Sequence, residues 1–335
     1  MLSITLKSPG NFVFNDVPEP ELRIGEALIE IKSIGICASD IGPYLGEKLD
    51  LWPLPQIQGH EFGGIVKKIK GNTKKIKVGD KVVVFPHINC GKCYYCTHDL
   101  SITCVNKQLF GFQIEGGMME MKAVPIANCV KLNDNFDIRY AGLIEPATVA
   151  YQAINEYKNS NIVVVGVGSI GMMMVEIAKS NKNKVIAIDV DENHLKLAKK
   201  LGVDFTINSN DNNKNEKIKS FLNEEIIEVI ILTFLNQEVL NWAMDIIGRC
   251  GIIANITVMS KPILNVDFRL VWQKILTIKG LDSLRFKDFV NTAKMLESSI
   301  INSKEIVTKI FPLRQVKEAY EYKIKNNALK VILTN

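Results

Sequence analysis

A glycine-rich turn in the middle of the chain limits the fold more than any other feature. The branched run Ile162 to Val165 is followed at once by glycines in the spacing GxGxxG. Such a turn between a strand and a helix lets a pyrophosphate approach the backbone at the positive helix N-terminus. The motif therefore predicts a dinucleotide site, against the simpler interpretation that the glycines serve only a tight turn. The predicted cofactor contacts are Gly166, Gly168, Ser169, Ile170 and Gly171.

The end of the next predicted strand indicates which dinucleotide binds. Asp189 lies 18 residues after Gly171, where a carboxylate accepts hydrogen bonds from the adenosine ribose hydroxyls. Val190 and Asp191 follow it, so no arginine or lysine stands ready for a 2′-phosphate. The pattern favours NAD over NADP.

The kind of predicted element changes along the chain. Residues 1 to about 150 carry short strand-like runs, whereas apolar strands and helices alternate between about 160 and 280. That alternation predicts a parallel sheet with right-handed crossovers, and residues 208–219 read as a surface loop running into a helix. The predicted strands are 27–33, 62–69, 81–85, 119–124, 162–165, 184–188, 228–232, 251–257, 276–279 and 330–333, and the predicted helices are 171–180, 193–201, 286–298 and 313–325.

Four closely spaced cysteines are the most specific signal of a metal. They follow the pattern C-x2-C-x2-C-x7-C, and four thiolates this close can form a tetrahedron around zinc without help from the rest of the fold. A site with four protein ligands has no open position, so its role would be structural. The alternative is four reduced cysteines without a metal. The predicted ligands are Cys90, Cys93, Cys96 and Cys104, in a lobe spanning about residues 88–106.

A second possible metal site is dispersed along the chain. Cys37, His60 with Glu61, and Glu145 offer a thiolate, an imidazole and carboxylates, and three such ligands leave a fourth zinc position open. Spacing alone leaves open the plainer interpretation that Cys37 is a small buried residue and His60 a core histidine.

The remaining cysteines and histidines have no such neighbours. Cys129 and Cys250 are predicted to be core residues, and His98 is a bystander inside the four-cysteine lobe. Seven cysteines, without an apolar leader at the start of the chain, argue against a disulfide framework.

Composition excludes several classes of partner. A net charge of +5 over 335 residues is too mild for a nucleic-acid protein, and the longest apolar run, Ile162 to Ala178, is interrupted by three glycines and Glu176. We expect a cytoplasmic protein that binds neither nucleic acid nor membrane.

Taken in order, the motifs resemble the zinc-containing medium-chain dehydrogenases, in the branch of sorbitol, galactitol-1-phosphate and threonine dehydrogenases. The resemblance covers essentially the whole chain. It is carried by the four-cysteine lobe, the GxGxxG unit, Gly35-Ile36-Cys37-x-Ser39-Asp40, Gly59-His60-Glu61-Phe62-x-Gly64, Val78-Gly79-Asp80-Lys81-Val82 and Glu145-Pro146.

The resemblance implies an α/β architecture of two domains. A GroES-like, β-rich catalytic domain would comprise residues 1–149 and 285–335, and a Rossmann NAD-binding domain with a doubly wound parallel sheet would comprise 150–284. Each subunit of a homodimer or homotetramer would hold one catalytic and one structural zinc. The enzyme would transfer a hydride between a secondary hydroxyl and NAD.

The resemblance also assigns roles around the catalytic zinc. Cys37, His60 and Glu61 would hold the metal, and Glu145 would be a direct ligand or joined to it through water. Ser39 would pass the proton of the substrate hydroxyl outwards.

Three departures from the family pattern lie near functional segments. Lys70 stands where Gly or Ala is expected, and Gly71 is predicted to take over the turn. The loop 233–236 lacks the usual acidic residue and glycine, and the strand 251–257 lacks a closing glycine. The last two departures put the affinity for NAD in question.

The substrate implied is a polyol or sugar alcohol. Ser39-Asp40 is followed by Ile41-Gly42-Pro43-Tyr44, which resembles the galactitol-1-phosphate type, so a phosphorylated sugar alcohol is the hypothesis. Arg285 and Arg269 are candidate phosphate partners. The alternatives are a threonine or other alcohol dehydrogenase, a zinc-free reductase of the same fold, and a non-catalytic NAD-binding protein.

Overall fold

The computed structural model describes residues 1–257, 264–282 and 284–335 and divides the chain into two compact units. The first unit comprises Met1–Thr148 and Leu284–Asn335, and the second comprises Val149–Ser283.

The strands, numbered in chain order, fall into both units. In the first unit they are β1 (Leu2–Ser8), β2 (Asn11–Asp16), β3 (Glu26–Gly35), β4 (Glu61–Lys70), β5 (Lys81–Val84), β6 (His87–Ile88), β7 (Gln108–Leu109), β8 (Met121–Pro125) and β9 (Cys129–Lys131). In the second unit they are β10 (Asn161–Val165), β11 (Lys184–Asp189), β12 (Phe205–Asn208), β13 (Val229–Leu232), β14 (Ile252–Asn255) and β15 (Thr277–Gly280). The first unit resumes with β16 (Val307–Pro312) and β17 (Lys330–Thr334).

The α-helices lie between these strands. They are α1 (Ala38–Tyr44), α2 (Tyr94–Thr97), α3 (Ile144–Ile154), α4 (Ser169–Ser180), α5 (Glu192–Lys200), α6 (Lys214–Leu222), α7 (Gln237–Ile246), α8 (Phe268–Lys274), α9 (Phe286–Glu297), α10 (Ser303–Ile306) and α11 (Val316–Lys325). Short 3₁₀ turns occur at Ser101–Thr103, Ile126–Asn128, Ile138–Leu143 and Leu313–Gln315.

The first unit is built on a largely antiparallel sheet. Its strands run in the order β16-β17-β3-β4-β5-β9, and β8 also pairs with β3. The long partners β3 and β4 are antiparallel and bring Gly35 opposite Glu61 at their ends. Buried apolar residues of its strands and of the helix near the end of the chain form a core, with Phe62 and Tyr320 among its largest fully buried side chains.

The second unit contains a parallel sheet of six strands in the order β12-β11-β10-β13-β14-β15. The order reverses direction at β10, which is the arrangement of a doubly wound fold. Central strands buried on both faces are continuous apolar runs, as the sequence of β10 and β13 shows. The carboxyl ends of β10 and β11 therefore meet at one edge of the sheet, where Gly166 and Asp189 lie.

The predicted fold class is confirmed. For the helices and strands that were predicted, most ends fall within two residues of the prediction. The strand β12 was missed because its four residues lie beside the polar, Asn-rich stretch. The last predicted helix begins as a 3₁₀ turn, and α11 proper starts at Val316. As predicted, Gly71 takes the turn after Lys70, with a φ of +112°.

One cysteine prediction was wrong. Cys129 is buried as expected, but Cys250 is exposed, in a turn with a φ of +59° just before β14. The core was predicted only because no metal-ligating neighbours surround Cys250 in the sequence, whereas the residue lies in an exposed turn.

No helix within the described ranges combines the length and apolar character needed to cross a membrane.

Candidate active site

The four cysteines of the lobe converge in space. The Sγ atom of Cys104 lies 3.6 Å from that of Cys90 and 3.9 Å from that of Cys93, and the Sγ atoms of Cys90 and Cys96 are 4.0 Å apart. Four sulfurs at about 2.3 Å from a tetrahedral ion are separated by about 3.8 Å, so this donor set fits zinc.

The neighbouring thiols of the lobe differ in pKa when no metal is bound. Backbone amides of Lys92 and Cys93 lower the pKa of Cys90 to about 6, whereas burial and the neighbouring sulfurs raise the pKa of Cys96 to about 12. Thiolates at these distances would repel one another, and a bound cation would favour the deprotonated form of all four. The surrounding lobe exposes Tyr94 and Leu100, so it lacks a substantial core of its own and a metal would fix its shape.

A second cluster forms where β3 ends and β4 begins. One donor atom each from Cys37, His60 and Glu61 lies within 4.8 Å of the others. Cys37 precedes α1, while His60 and Glu61 lead into β4, so the antiparallel pairing of β3 with β4 brings the three together. A sulfur, an imidazole nitrogen and a carboxylate oxygen at these separations form a donor set suited to zinc.

Glu145 and Ser39 lie at the margins of this cluster. Glu145 is buried in the first turn of α3 and is not among the three convergent donors. Burial raises its pKa to about 7, an effect opposed by His60 and reinforced by the Glu61 carboxylate. Ser39 is half buried in the first turn of α1. Sequence analysis named both residues, and the charges of His60 and Glu61 act on the buried Glu145 carboxyl.

A buried lysine that sequence analysis missed accompanies the second cluster. Lys330, on β17, donates to both carboxylate oxygens of Glu61, at 2.8 and 2.7 Å. Burial lowers the pKa of Lys330, but Glu61 and Cys37 raise it by more, so the ammonium stays charged. Gly35 leaves room for this pair, because a Cβ there would stand 1.9 Å from Glu61 Oε2.

Sequence analysis also missed Asp40 as a site residue, although its carboxylate lies next to the imidazole of His60. Asp40 is fully buried on α1, and its Oδ1 lies 3.7 Å from His60 Nδ1. Neither atom has a hydrogen-bond partner among the described residues. Burial alone would lower the pKa of His60, but Asp40 and Cys37 raise it well above its usual value. At this distance Asp40 attracts the imidazole electrostatically, and a carboxylate that accepted its N–H would orient a ligating ring.

Asp40 is itself held from two sides. Its Oδ2 accepts the backbone amide of Cys37 at 2.8 Å, and its carbonyl accepts the side-chain amide of Gln58 at 3.1 Å. Gln58 in turn accepts the hydroxyl of Tyr320, on α11, at 2.9 Å. The motif Ser39-Asp40 was a signal for Asp40, but no local pattern marked Gln58 or Tyr320.

The glycine-rich turn has the geometry of a phosphate-binding loop. Gly166 has a φ of +87°, and α4 begins at Ser169 with its first amides free for a ligand. Asp189 accepts the amide of Val167 at 2.7 Å and that of Asp191 at 3.0 Å, which ties the end of β11 to the turn. These bonds and His194 lower the pKa of Asp189 against the opposing effect of burial.

A cavity opens beside this turn in the second unit. It has a volume of about 390 Å³, and its lining includes Gly166, Asp189, Lys214, Phe234 and Trp242. The cavity lies at the carboxyl ends of the strands and at the point where their order reverses, which is where dinucleotides bind in such folds.

The unusual loop after β13 has its own contacts. The hydroxyl of Thr233 lies 3.0 Å from the carbonyl oxygen of Val165 and 2.9 Å from that of Gly166, and it donates to them. Asn236 caps α7 by accepting the amide of Val239 at 2.8 Å. After β14, Asn255 accepts the amide of Thr257 at 3.1 Å. Polar side chains thus stabilise both altered loops.

The two arginines suggested for a phosphate are each engaged with a nearby aspartate. Arg285 donates to Asp288 at 2.7 Å, and Arg269 donates to Asp267 at 3.2 Å. Both guanidinium groups are largely exposed, at 62% and 72%.

Comparisons with known proteins agree with this geometry. Residues 23–134 match the alcohol dehydrogenase GroES-like domain, and residues 169–298 match the zinc-binding dehydrogenase family. An uncharacterized zinc-type alcohol dehydrogenase-like protein of Haemophilus influenzae is 31% identical over 94% of this chain and 92% of its own length. The L-threonine 3-dehydrogenase of Bacillus subtilis is 28% identical over 98% of this chain and 97% of its own.

A solved structure shows the same fold over the full length. The alcohol dehydrogenase RspB of Escherichia coli CFT073, crystallised with NADH, has a TM-score of 0.91 and 27% identity, with 100% of this chain and 99% of that chain covered. The chain therefore belongs to the zinc-type alcohol dehydrogenase family. The resemblance drawn from its motifs is confirmed, and so is the class of enzyme.

Proposed function

We propose that the protein oxidises a secondary hydroxyl of a polyol or sugar alcohol, with NAD as the hydride acceptor and zinc as the catalytic metal. The observation that carries the proposal is the convergence of Cys37, His60 and Glu61 in a chain whose second unit holds a GxGxxG turn with Asp189 at the next strand end. The NADH complex of the related RspB enzyme supports the choice of cofactor.

We assign the metal to the three convergent donors, with Glu145 as a further ligand or a partner through water. A zinc ion bound there would act as a Lewis acid on the alcohol oxygen and lower its pKa. Asp40 would orient His60 from behind, and Lys330 would hold Glu61 in place. Ser39 would pass the hydroxyl proton outwards.

The second unit would bind the dinucleotide. The amides at the start of α4 would face the pyrophosphate, and Asp189 would accept the ribose hydroxyls. A carboxylate that already lies against the turn repels a 2′-phosphate, which favours NAD. The lobe cysteines Cys90, Cys93, Cys96 and Cys104 would hold the structural zinc.

We also propose a homo-oligomer that covers the edge of the parallel sheet. β15 is the last strand in the sheet order, and beside it Trp272 is 78% exposed, Ile275 69% and Ile278 42%. An apolar sheet edge of this kind is normally covered, and two copies can pair such edges about a twofold axis. Analytical ultracentrifugation would detect the dimer or tetramer, and a monomer at micromolar concentration would contradict the proposal.

A substrate panel at fixed NAD tests the activity. Zinc-loaded protein is assayed with paired phosphorylated and free sugar alcohols, L-threonine and simple secondary alcohols. We expect turnover of at least one sugar alcohol or its phosphate. His60→Asn should abolish turnover and keep NADH binding, measured by fluorescence, while the matched variant His98→Asn should retain both, because His98 is exposed in the lobe.

The same measurements separate the alternatives. NADH binding without turnover of any alcohol would favour a non-catalytic NAD-binding protein. Turnover that survives in His60→Asn would favour a zinc-free reductase chemistry. Turnover of L-threonine alone would replace the sugar-alcohol assignment.

A further inference from the structure

Two aromatic rings continue outward from the imidazole of His60. The ring of Phe112 lies 5.1 Å from that of His60, and the ring of Trp52 lies 5.4 Å from that of Phe112. Both aromatic side chains are only half buried. We call Phe112 and Trp52 the aromatic wall. It extends from a proposed metal ligand towards solvent, within the first unit.

The local backbone explains why Phe112 lies against His60. Gly111, with a φ of +82°, packs so close to the chain at Gly59 and His60 that a Cβ there would stand 3.2 Å from their backbone atoms. The amide of Phe112 donates to the carbonyl of Leu109 at 3.2 Å and turns its side chain back towards the imidazole. The wall is therefore attached directly to the segment that carries His60.

A lysine stands at the outer end of the wall. The ammonium of Lys48 lies 5.6 Å from the centre of the Trp52 ring. The amide of Trp52 donates to the carbonyl of Lys48 at 2.9 Å, and this turn brings residues four apart onto the same side. In the part of the chain that the structure describes, Lys48 has no carboxylate within ion-pair distance, so its charge is available to a ligand.

We propose that Lys48 and the aromatic wall bind a substrate that carries an anionic group, and specifically a phosphate, at the end remote from the reacting hydroxyl. The inference rests on the proposed function, because it places the substrate between the proposed metal ligands and Lys48. The rings would cover the C–H faces of the carbon chain, and the ammonium would donate charge-assisted hydrogen bonds to the anion.

The arrangement favours a sugar-alcohol phosphate over an amino acid. The rings of Phe112 and Trp52 separate His60 from Lys48, so an anion bound by Lys48 must stand several bonds from the reacting carbon. The phosphate of a sugar-alcohol phosphate can lie that far from the reacting carbon. In threonine, a single carbon separates the carboxylate from the carbinol carbon. A lysine ammonium binds phosphate as a point charge, so Lys48 is suited to this group.

Kinetics with a matched pair of substrates test the proposal. Galactitol 1-phosphate and galactitol are compared in wild type, Lys48→Met, Lys48→Arg and the control Lys74→Met, which removes an exposed lysine elsewhere in the first unit. Lys48→Met should lower the kcat/KM ratio of phosphorylated to free substrate about tenfold or more, mainly through KM. Lys48→Arg should retain most of the ratio, and Lys74→Met should leave it unchanged.

A binding measurement provides a readout that does not depend on turnover. In zinc-loaded Trp242→Phe/Trp272→Phe protein, Trp52 is the remaining tryptophan, and galactitol 1-phosphate should change its fluorescence at concentrations where galactitol does not. Adding Lys48→Met should weaken that binding about tenfold or more. Inorganic phosphate should compete with galactitol 1-phosphate at the same site.

The outcomes distinguish this inference from the proposed function. If free sugar alcohols are turned over and Lys48→Met changes neither the ratio nor the fluorescence titration, the inference fails while the proposed function stands. If no alcohol is turned over, the proposed function fails and the fluorescence titration still decides the inference. A loss confined to L-threonine in Lys48→Met would replace phosphate with carboxylate.

Discussion

Lys330 and Glu61 form a buried ion pair across 269 residues of sequence, with the ammonium donating to both carboxylate oxygens. Their side chains are 3% and 0% exposed. A charge removed from water at this depth is costly unless it is paired. The closing strand β17 therefore supplies a buried countercharge to a proposed metal ligand inside the core of the first unit.

Lys330→Met should destabilise the first unit strongly. The substitution leaves Glu61 buried without its partner, which costs about 3–5 kcal/mol of unfolding free energy. The control Lys67→Met removes a half-exposed partner of Glu30 and should cost less than about 1 kcal/mol. Urea unfolding of metal-depleted protein compares the two. A similar small loss in both variants would mean that the buried pair contributes no more to stability than an exposed one.

Cys104→Ser should remove the structural zinc and leave the second metal in place. The serine hydroxyl is a poor replacement for a thiolate among three sulfurs, so metal analysis should find one zinc ion fewer per chain. The lobe should then be cut by proteases faster than in wild type. Cys250→Ser, at an exposed cysteine outside the lobe, should change neither quantity. Equal zinc contents in Cys104→Ser and wild type would exclude the four-sulfur site.

Local sequence patterns predicted the parts of the site whose residues are neighbours in the chain. The four cysteines lie within one short lobe, and the glycine-rich turn lies between a strand and a helix that its own residues favour. Only the family resemblance predicted that Cys37 and His60 belong to one metal site, because they come close together only when β3 pairs with β4.

The residues that escaped prediction act across long separations. Lys330 looks like any lysine at the start of a strand, and only the sheet order β17-β3-β4 brings it to Glu61. Thr233 replaces the expected residue of the cofactor loop, and its hydroxyl contact with Gly166 depends on the parallel pairing of β10 with β13. Cys250 was assigned to the core for want of metal-ligating neighbours, and its exposure follows from a turn with positive φ that the sequence did not reveal.

Asp80→Asn should reduce stability at neutral pH and leave it unchanged in acid. Burial raises the pKa of Asp80, but Lys131 at 2.7 Å and the amide of Lys77 at 2.8 Å lower it by more, so the net pKa lies below the usual value. A lowered folded-state pKa stabilises the protein above the unfolded value of about 3.9, and that contribution is lost as pH falls through the folded pKa.

The size of the Asp80 effect is limited by the exposure of its partner. Lys131 is 43% exposed, so solvent screening reduces the difference to about 1–2 kcal/mol. Thermal unfolding is followed from pH 7 down to pH 3 in wild type, Asp80→Asn and the exposed control Asp134→Asn. A gap between wild type and Asp80→Asn that persists unchanged at pH 3 would show that the Asp80 charge is not its source.

Two glycines of the dinucleotide turn are expected to serve different purposes: Gly166 is needed for folding, and Gly168 is needed for binding the cofactor. At Gly166 the backbone has a φ of +87°, and a Cβ would stand 2.1 Å from Thr233 Oγ1, so Gly166→Ala should destabilise the second unit by about 1–2 kcal/mol or more. At Gly168 a Cβ would meet nothing within 4 Å, so Gly168→Ala should fold normally.

The expected NADH affinity of Gly168→Ala follows from the close approach of the pyrophosphate to the backbone at this glycine. A methyl group at Gly168 would occupy the space that the second glycine of the motif leaves for the phosphates, so NADH affinity should fall about tenfold or more while the unfolding temperature stays unchanged. Thr233→Val should also lower stability, because it removes the hydroxyl that bonds to the carbonyls of Val165 and Gly166. It adds no methyl group at Gly166, so it creates no clash there. Unimpaired NADH binding in Gly168→Ala would mean that the dinucleotide does not lie on this turn.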